Sequence, residues 1–148
     1  MKIKSSSRLN IPNTKYLGVT VDAQLTWCKH VEEICEKVSW AIDALERVRP
    51  FIPKETAIQI YSALIVPYFD YCSPIWDCLS GYLSDELQKL QNRATRVKLP
   101  FDTNSNHVLT ALNCERLSIR RKKRKALMMY KTVNGHAPDY RQRLFTQY

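Results

Sequence analysis

The sequence predicts a mainly α-helical fold: a helical bundle of five or six helices with a short N-terminal β-hairpin. Three patterns predict it. Apolar residues recur at steps of three and four from Val31 to Val48, and leucines recur at heptad-like spacing from Leu83. By contrast, strand-like period-two alternation is seen in residues 15–22, KYLGVTVD.

In that stretch Leu17, Val19 and Val21 share one face, and Tyr16, Gly18 and Thr20 the other. NIPN before it offers a turn, and KIKS, residues 2–5, a partner strand. A lone two-stranded hairpin is marginal in water, so it must pack on the helices or belong to a larger sheet. Thr26 is the expected N-cap of the first helix, whose inward face is Val31, Ile34, Cys35, Val38, Ala41, Ile42, Leu45 and Val48. Pro50 and Pro53 close it. Pro53 also suits the first position of the next helix, where its missing N–H removes no helical bond. That second helix is expected to bury Ile58, Tyr61, Leu64, Ile65 and Tyr68, with a kink or break at Pro67.

Ser73 and Pro74 open a loop containing Trp76. Leu83, Leu87, Leu90, Ala94 and Val97 then mark an amphipathic helix ending near Pro100. A short helix follows around HVLTALN, residues 107–113. The last long helix runs from about Glu115 to Val133, with Asn134, Gly135 and Pro138 as its stop signal.

At 148 residues and 45% apolar, the chain can build a core without disulfides or metal. Five cysteines, an odd number without a CxxC pair, read as reduced core thiols of an intracellular protein of nucleus or cytoplasm. MKIKSSSRLN has no apolar run behind its charge, so it is no secretory signal. The longest largely apolar run, ALIVPYF, is far short of the roughly 20 residues that span a bilayer, and no membrane partner is expected.

The net charge of +9 is unevenly placed: residues 1–50 hold +2, residues 51–100 hold zero and residues 101–148 hold +7. That asymmetry points to an anionic partner for the C-terminal third, nucleic acid before membrane. Its focus is RRKKRK, residues 120–125. On a helix, six consecutive residues cover more than a full circle, so they cannot all face water equally. Lys123, four residues after Ile119 and three before Ala126, is expected beside the apolar seam with its stem on the core. Arg116, Arg120, Arg121, Lys122, Arg124, Lys125 and Lys131 are expected to form an exposed cationic ridge that contacts phosphates, with ALMMY behind them anchoring the helix. Among nearby residues, Glu115 and Asp139 offer the acidic compensation. The plainer alternative is a solvated helix face or a nuclear-import signal.

Other chemistry finds little support. Cys28, His30 and Cys35 lack zinc-site spacing, as do Cys72 and Cys78. His30 is expected to be exposed near a helix start. Glu32/Glu33 and Asp85/Glu86 are adjacent pairs, which diverge by about 100° on a helix and do not converge on a metal. The three glycines are isolated, so there is no phosphate loop. No cofactor and no catalytic residue is assigned.

Four phrases occur in order: KYLGVTVDAQLTWCKHVEEICEKV, YSALIVPYFDYCSPIW, LQKLQNRATRV and LNCERLSIRRKKRKALMMYKTVNGHAPDY. Together they resemble the region C-terminal to the catalytic motifs of reverse transcriptases from non-LTR, LINE-type retrotransposons. The resemblance covers nearly the whole chain. It implies that residues 1–23 are the trailing end of a polymerase palm, 24–100 a thumb-like helical region and 101–148 a basic distal helical region. It also implies that Lys15, Tyr16, Leu17, Gly18 and Trp27 lie nearest the primer end. Cys114, where many relatives carry Trp, and Arg141, where an apolar residue is common, depart from the pattern. No aromatic-x-Asp-Asp motif is present, so the metal-binding aspartates are expected upstream and the chain alone is expected to catalyse nothing. The implied partners are the RNA or DNA backbone, bound nonspecifically, and the palm and fingers of a longer polymerase. A helical protein-docking module and a decayed retroelement product are the competing expectations.

Overall fold

A computed structural model describes residues 13–97 and 115–143. Two strands, β1 (Asn13–Tyr16) and β2 (Val19–Asp22), pair antiparallel around a two-residue turn at Leu17 and Gly18. Both turn residues have positive φ, 47° and 79°, the backbone of a type I′ turn whose twist matches its strands. The expected continuous strand over residues 15–22 thus folds back on itself at its centre, because Gly18 takes the left-handed conformation without steric cost. The KIKS segment, the helix expected at 107–113 and Cys114 lie outside the described residues. Val19 is buried and Val21 packs on the core, whereas Leu17, on the same face by alternation, is 73% exposed, and Thr20, of the opposite face, is buried.

Asp22 organises the entry to α1 (Cys28–Val48). Its carboxylate accepts hydrogen bonds from the backbone N–H groups of Gln24 and Thr26, both at 3.0 Å, and of Trp27 at 2.8 Å, and from the Thr26 hydroxyl. The Thr26 N–H leads the interactions that hold this carboxyl below its usual range. The N-cap is Trp27, in a left-handed conformation, and not Thr26. Burial of the Trp27 indole and the Asp22 carboxylate fix that conformation together. α1 buries Val31, Ile34, Val38, Ile42 and Leu45 at the expected spacing, but Val48 is left exposed.

A 3-10 turn (Arg49–Phe51) leads to α2 (Lys54–Ile60), with Pro53 as N-cap. α2 continues through a π-helical turn, Tyr61–Ile65, into α3 (Val66–Asp70). Pro67 explains that turn. Proline lacks an N–H and crowds the carbonyl four residues back, and the wider turn, in which the Val66 N–H reaches the Tyr61 carbonyl, absorbs the conflict. The extra residue also shifts the helix phase. Ala57, Tyr61, Ile65 and Phe69 face inward, while Leu64 and Tyr68, expected inside, are exposed.

Ser80 caps α4 (Gly81–Arg96), its hydroxyl accepting from the Leu83 N–H at 3.4 Å. Leu83, Leu87 and Ala94 line the buried side of α4, joined by Gln91 and Thr95. α5 (Leu117–Val133) packs on α4, and α6 (Asp139–Gln142) follows. α5 ends where expected: Gly135 has φ 76° and the His136 N–H returns to the Lys131 carbonyl at 2.8 Å, a Schellman closure. α1 stands at the centre, against β2, α3 and α4. The core runs from Val31 and Ile42 through Tyr61 and Ile65 to Trp76 and Leu87.

Candidate nucleic-acid interface

α5 meets the rest of the fold along Leu117, Arg121 and Thr132, all buried, with Met128 partly buried between them. Spacings of four, seven and four residues put these on one helix face. α4 secures the start of that face. The Leu117 N–H, one of the groups a helix start leaves without an internal partner, donates to Gln88 Oε1 at 3.1 Å. Gln91 Nε2 donates to the Glu115 carbonyl at 3.2 Å.

Two aspartates flank this seam and gather four of the six cations in the basic run. Asp70, at the end of α3, lies 2.5 Å from Arg120 Nη2 and 2.8 Å from Arg124 Nη2. Asp77, in the loop before α4, lies 3.4 Å from Arg121 Nε and 3.5 Å from Lys125 Nζ. Each carboxylate therefore bridges residues four apart on α5, one on either side of the seam. Sequence reasoning missed both, because no local rule pairs residues about fifty positions apart.

Arg121 departs most from expectation. It is 4% exposed, so it belongs to the seam and not to the solvent ridge. Its guanidinium lies over the Trp76 ring, 5.7 Å from the ring centroid, and Nη2 donates to Ser84 Oγ at 2.8 Å. Among the described residues Nε and Nη1 have no hydrogen-bond partner, although Nε keeps its ion pair with Asp77. Burial pulls this group below its ordinary value, opposed by Asp77. A planar guanidinium can lie flat on an indole while its edge reaches Asp77, which makes arginine suited to this position. Lys123, expected beside the apolar seam, instead reaches into solvent and pairs with Glu115. The ALMMY anchor is also corrected. Ala126, Leu127, Met129 and Tyr130 are exposed and only Met128 is partly buried, so Leu117 and Arg121 hold α5.

The remaining cations are available. Among the described residues Arg116, Lys122 and Lys131 are exposed and carry no ion pair, while Arg124 and Lys125 are about half exposed beside their aspartates. Lys15 on β1 is exposed and pairs with Glu33 at 3.4 Å. It lies on the hairpin, whereas the ridge is on α5. Of the residues placed nearest the primer end by resemblance, Tyr16 and Leu17 project into solvent, but Trp27 is core. Arg141, one of the two departures, lies over its neighbour Tyr140.

The expectation of core cysteines holds only in part. The four described cysteines are free, with Cys35 and Cys72 partly buried but Cys28 and Cys78 exposed. Among the described residues no group of His, Cys, Asp or Glu is arranged to hold a metal ion, and no helix is long and apolar enough to cross a membrane.

His30, expected to be exposed, is 5% exposed. Its Nδ1 accepts from the Thr20 N–H at 3.3 Å, which ties β2 to α1, and its ring stands edge-on to Trp76 with centroids 5.7 Å apart. Burial, first among the causes, lowers its pKa below 6.5; Glu33 opposes this, and Lys37 and Lys15 reinforce it. The unfolded chain therefore takes up a proton at a pH where folded His30 does not. Folding stability is complete above about pH 6.5 and falls as the pH drops from there toward the depressed folded value. Asp22 and Glu33 have lowered values and so titrate below this window. Melting curves between pH 7.5 and 5.5 are expected to show this loss in the wild type and a flatter profile in His30→Gln. An identical slope in both would exclude His30 as its source.

Comparison with protein-family models, curated protein sequences and solved structures yields no match for this chain.

Proposed function

We propose that this chain is the thumb-like and distal helical part of a retroelement RNA-directed DNA polymerase, and that it binds the nucleic-acid backbone nonspecifically through the solvent side of α5. The observation that carries the reading is a charge excess that the fold leaves unneutralised. Arg116, the six cations of residues 120–125 and Lys131 make eight, and among the described residues Asp70, Asp77 and Glu115 supply three opposing charges, which leaves +5 along α5 and the residue before it. Phosphate contacts from such a surface supply affinity and register without reading sequence. On this reading catalysis belongs to a palm bearing the metal-binding aspartates, and this chain alone copies nothing.

The test is a salt titration of binding to a primer-template duplex. The logarithm of the association constant is expected to fall linearly with the logarithm of salt concentration. Substituting Arg116, Lys122 and Lys131 together by Ala should lower the slope by about 2 to 3. Arg120→Ala should lower it less, because Asp70 already neutralises part of that charge. Salt-insensitive binding, or no binding at low salt, refutes the proposal.

One observation favours a second reading. Ile119, Leu127, Tyr130 and Val133 stand exposed on the same solvent side of α5, which suits docking of another protein surface. That reading predicts association that survives high salt and is weakened by Leu127→Asp, with the cation substitutions neutral.

A further inference from the structure

We propose that the cleft between the hairpin turn, α1 and α3 binds a small flat aromatic anion, in its simplest form an aryl carboxylate. The cleft measures about 330 Å³, at the lower end of the range for small-molecule sites. Ile34, Pro67, Tyr68 and Tyr71 make most of its wall apolar and aromatic, which selects a ring. The Tyr71 hydroxyl donates to the Leu17 carbonyl at 2.7 Å, so the aromatic wall is already fastened to the hairpin before any ligand arrives.

Three ionisable residues also line the cleft, and they differ in what they have left to offer. Glu33 is engaged, accepting from the Thr20 hydroxyl at 2.9 Å and from Lys15 at 3.4 Å. His30 uses Nδ1 on the Thr20 N–H, which places its proton on Nε2, and Nε2 is buried without a partner among the described residues. Lys37 is exposed at the cleft and makes no hydrogen bond or ion pair among the described residues. The polar groups still unengaged among the described residues are thus the Lys37 ammonium, the Tyr68 hydroxyl and the buried His30 Nε2–H; all three can donate, and one is a cation. Such a wall prefers a ligand that brings an acceptor and a negative charge.

The test titrates 2-naphthoate into the whole chain, followed by backbone and His30 ring NMR signals, with 2-naphthylmethylammonium as the oppositely charged control. Saturable shifts confined to the Gly18, His30 and Tyr71 region are expected, with a dissociation constant of about 1 mM or lower. The cation should bind about tenfold more weakly. Lys37→Gln should weaken naphthoate about threefold, and Tyr68→Ala about tenfold. Both positions are exposed, and unchanged melting verifies that each variant is folded. Absence of saturable shifts, equal binding of the two probes, or indifference to both substitutions overturns the proposal. None of these outcomes bears on the salt dependence of nucleic-acid binding.

Discussion

Replacing Trp76 by Ala is expected to destabilise the protein by about 4 kcal/mol, a fall in melting temperature of about 10 °C. The indole is fully buried, in contact with the edge-on His30 ring and with the Arg121 guanidinium. Its Nε1–H donates to the Tyr71 carbonyl at 2.9 Å, closing the loop that joins α3 to α4. Asp70 ends the helix before that loop and Asp77 follows Trp76 within it, so the same ring sets the spacing of the two carboxylates that receive α5. Loss of the ring removes buried apolar area, leaves a cavity, and strips one face from the Arg121 cation. Trp76→Phe should cost about 1 to 2 kcal/mol, since it keeps a ring but gives up the hydrogen bond. Denaturant melts measure both. A loss under about 1 kcal/mol for the Ala variant would mean that the loop repacks and that Trp76 is not its anchor.

Arg121→Ala is expected to cost about 3 kcal/mol, while Ala at the neighbouring Arg120 costs less than about 1 kcal/mol. The two residues are adjacent in a uniform cationic run, yet one is sealed against Trp76 and the other is partly solvated beside Asp70. Removing the buried guanidinium leaves Asp77, itself largely buried, with Lys125 at 3.5 Å as its one ion-pair partner among the described residues. Much of the cost is therefore that of a largely buried carboxylate left undercompensated and not the value of the pair. Arg121→Met combined with Asp77→Asn should recover to within about 1 kcal/mol of the wild type, because a buried ion pair is replaceable by well-packed neutral groups. Arg121→Lys should not rescue, since an ammonium cannot lie flat on the indole and reach Ser84 and Asp77 at once. Equal effects at positions 120 and 121 would contradict the placement of Arg121 in the seam. Because Arg121 and Trp76 touch, the two Ala substitutions should combine less than additively.

These expectations also separate folding from binding within RRKKRK. Arg121 holds α5 to the fold, Arg120 and Arg124 share Asp70, and Lys122 is exposed without an ion pair among the described residues. A charge-to-alanine scan read only as nucleic-acid affinity would not separate a lost phosphate contact from the loss of the residue that seats α5. Reading stability alongside the salt slope distinguishes the two.

The sequence by itself determined whatever depends on neighbours along the chain. The inward face of α1 follows from three- and four-residue spacing, and the end of α5 from Asn134 and Gly135, because helix periodicity and left-handed backbone are local properties. The disruption at Pro67 was legible for the same reason, although its form, a π turn that moves Leu64 and Tyr68 outward, was not. The tertiary structure alone decided which way chemically similar residues face. A run of six cations has no internal feature that selects Arg121 for burial; Trp76, Asp77 and Ser84 select it from 45, 44 and 37 positions away. His30 is buried for a like reason, since its acceptor role depends on a strand that pairs back over α1. The physical cause is common to both: the cost of burying a charge or imidazole is set by the partners brought to it, and those partners are assembled only when distant segments pack.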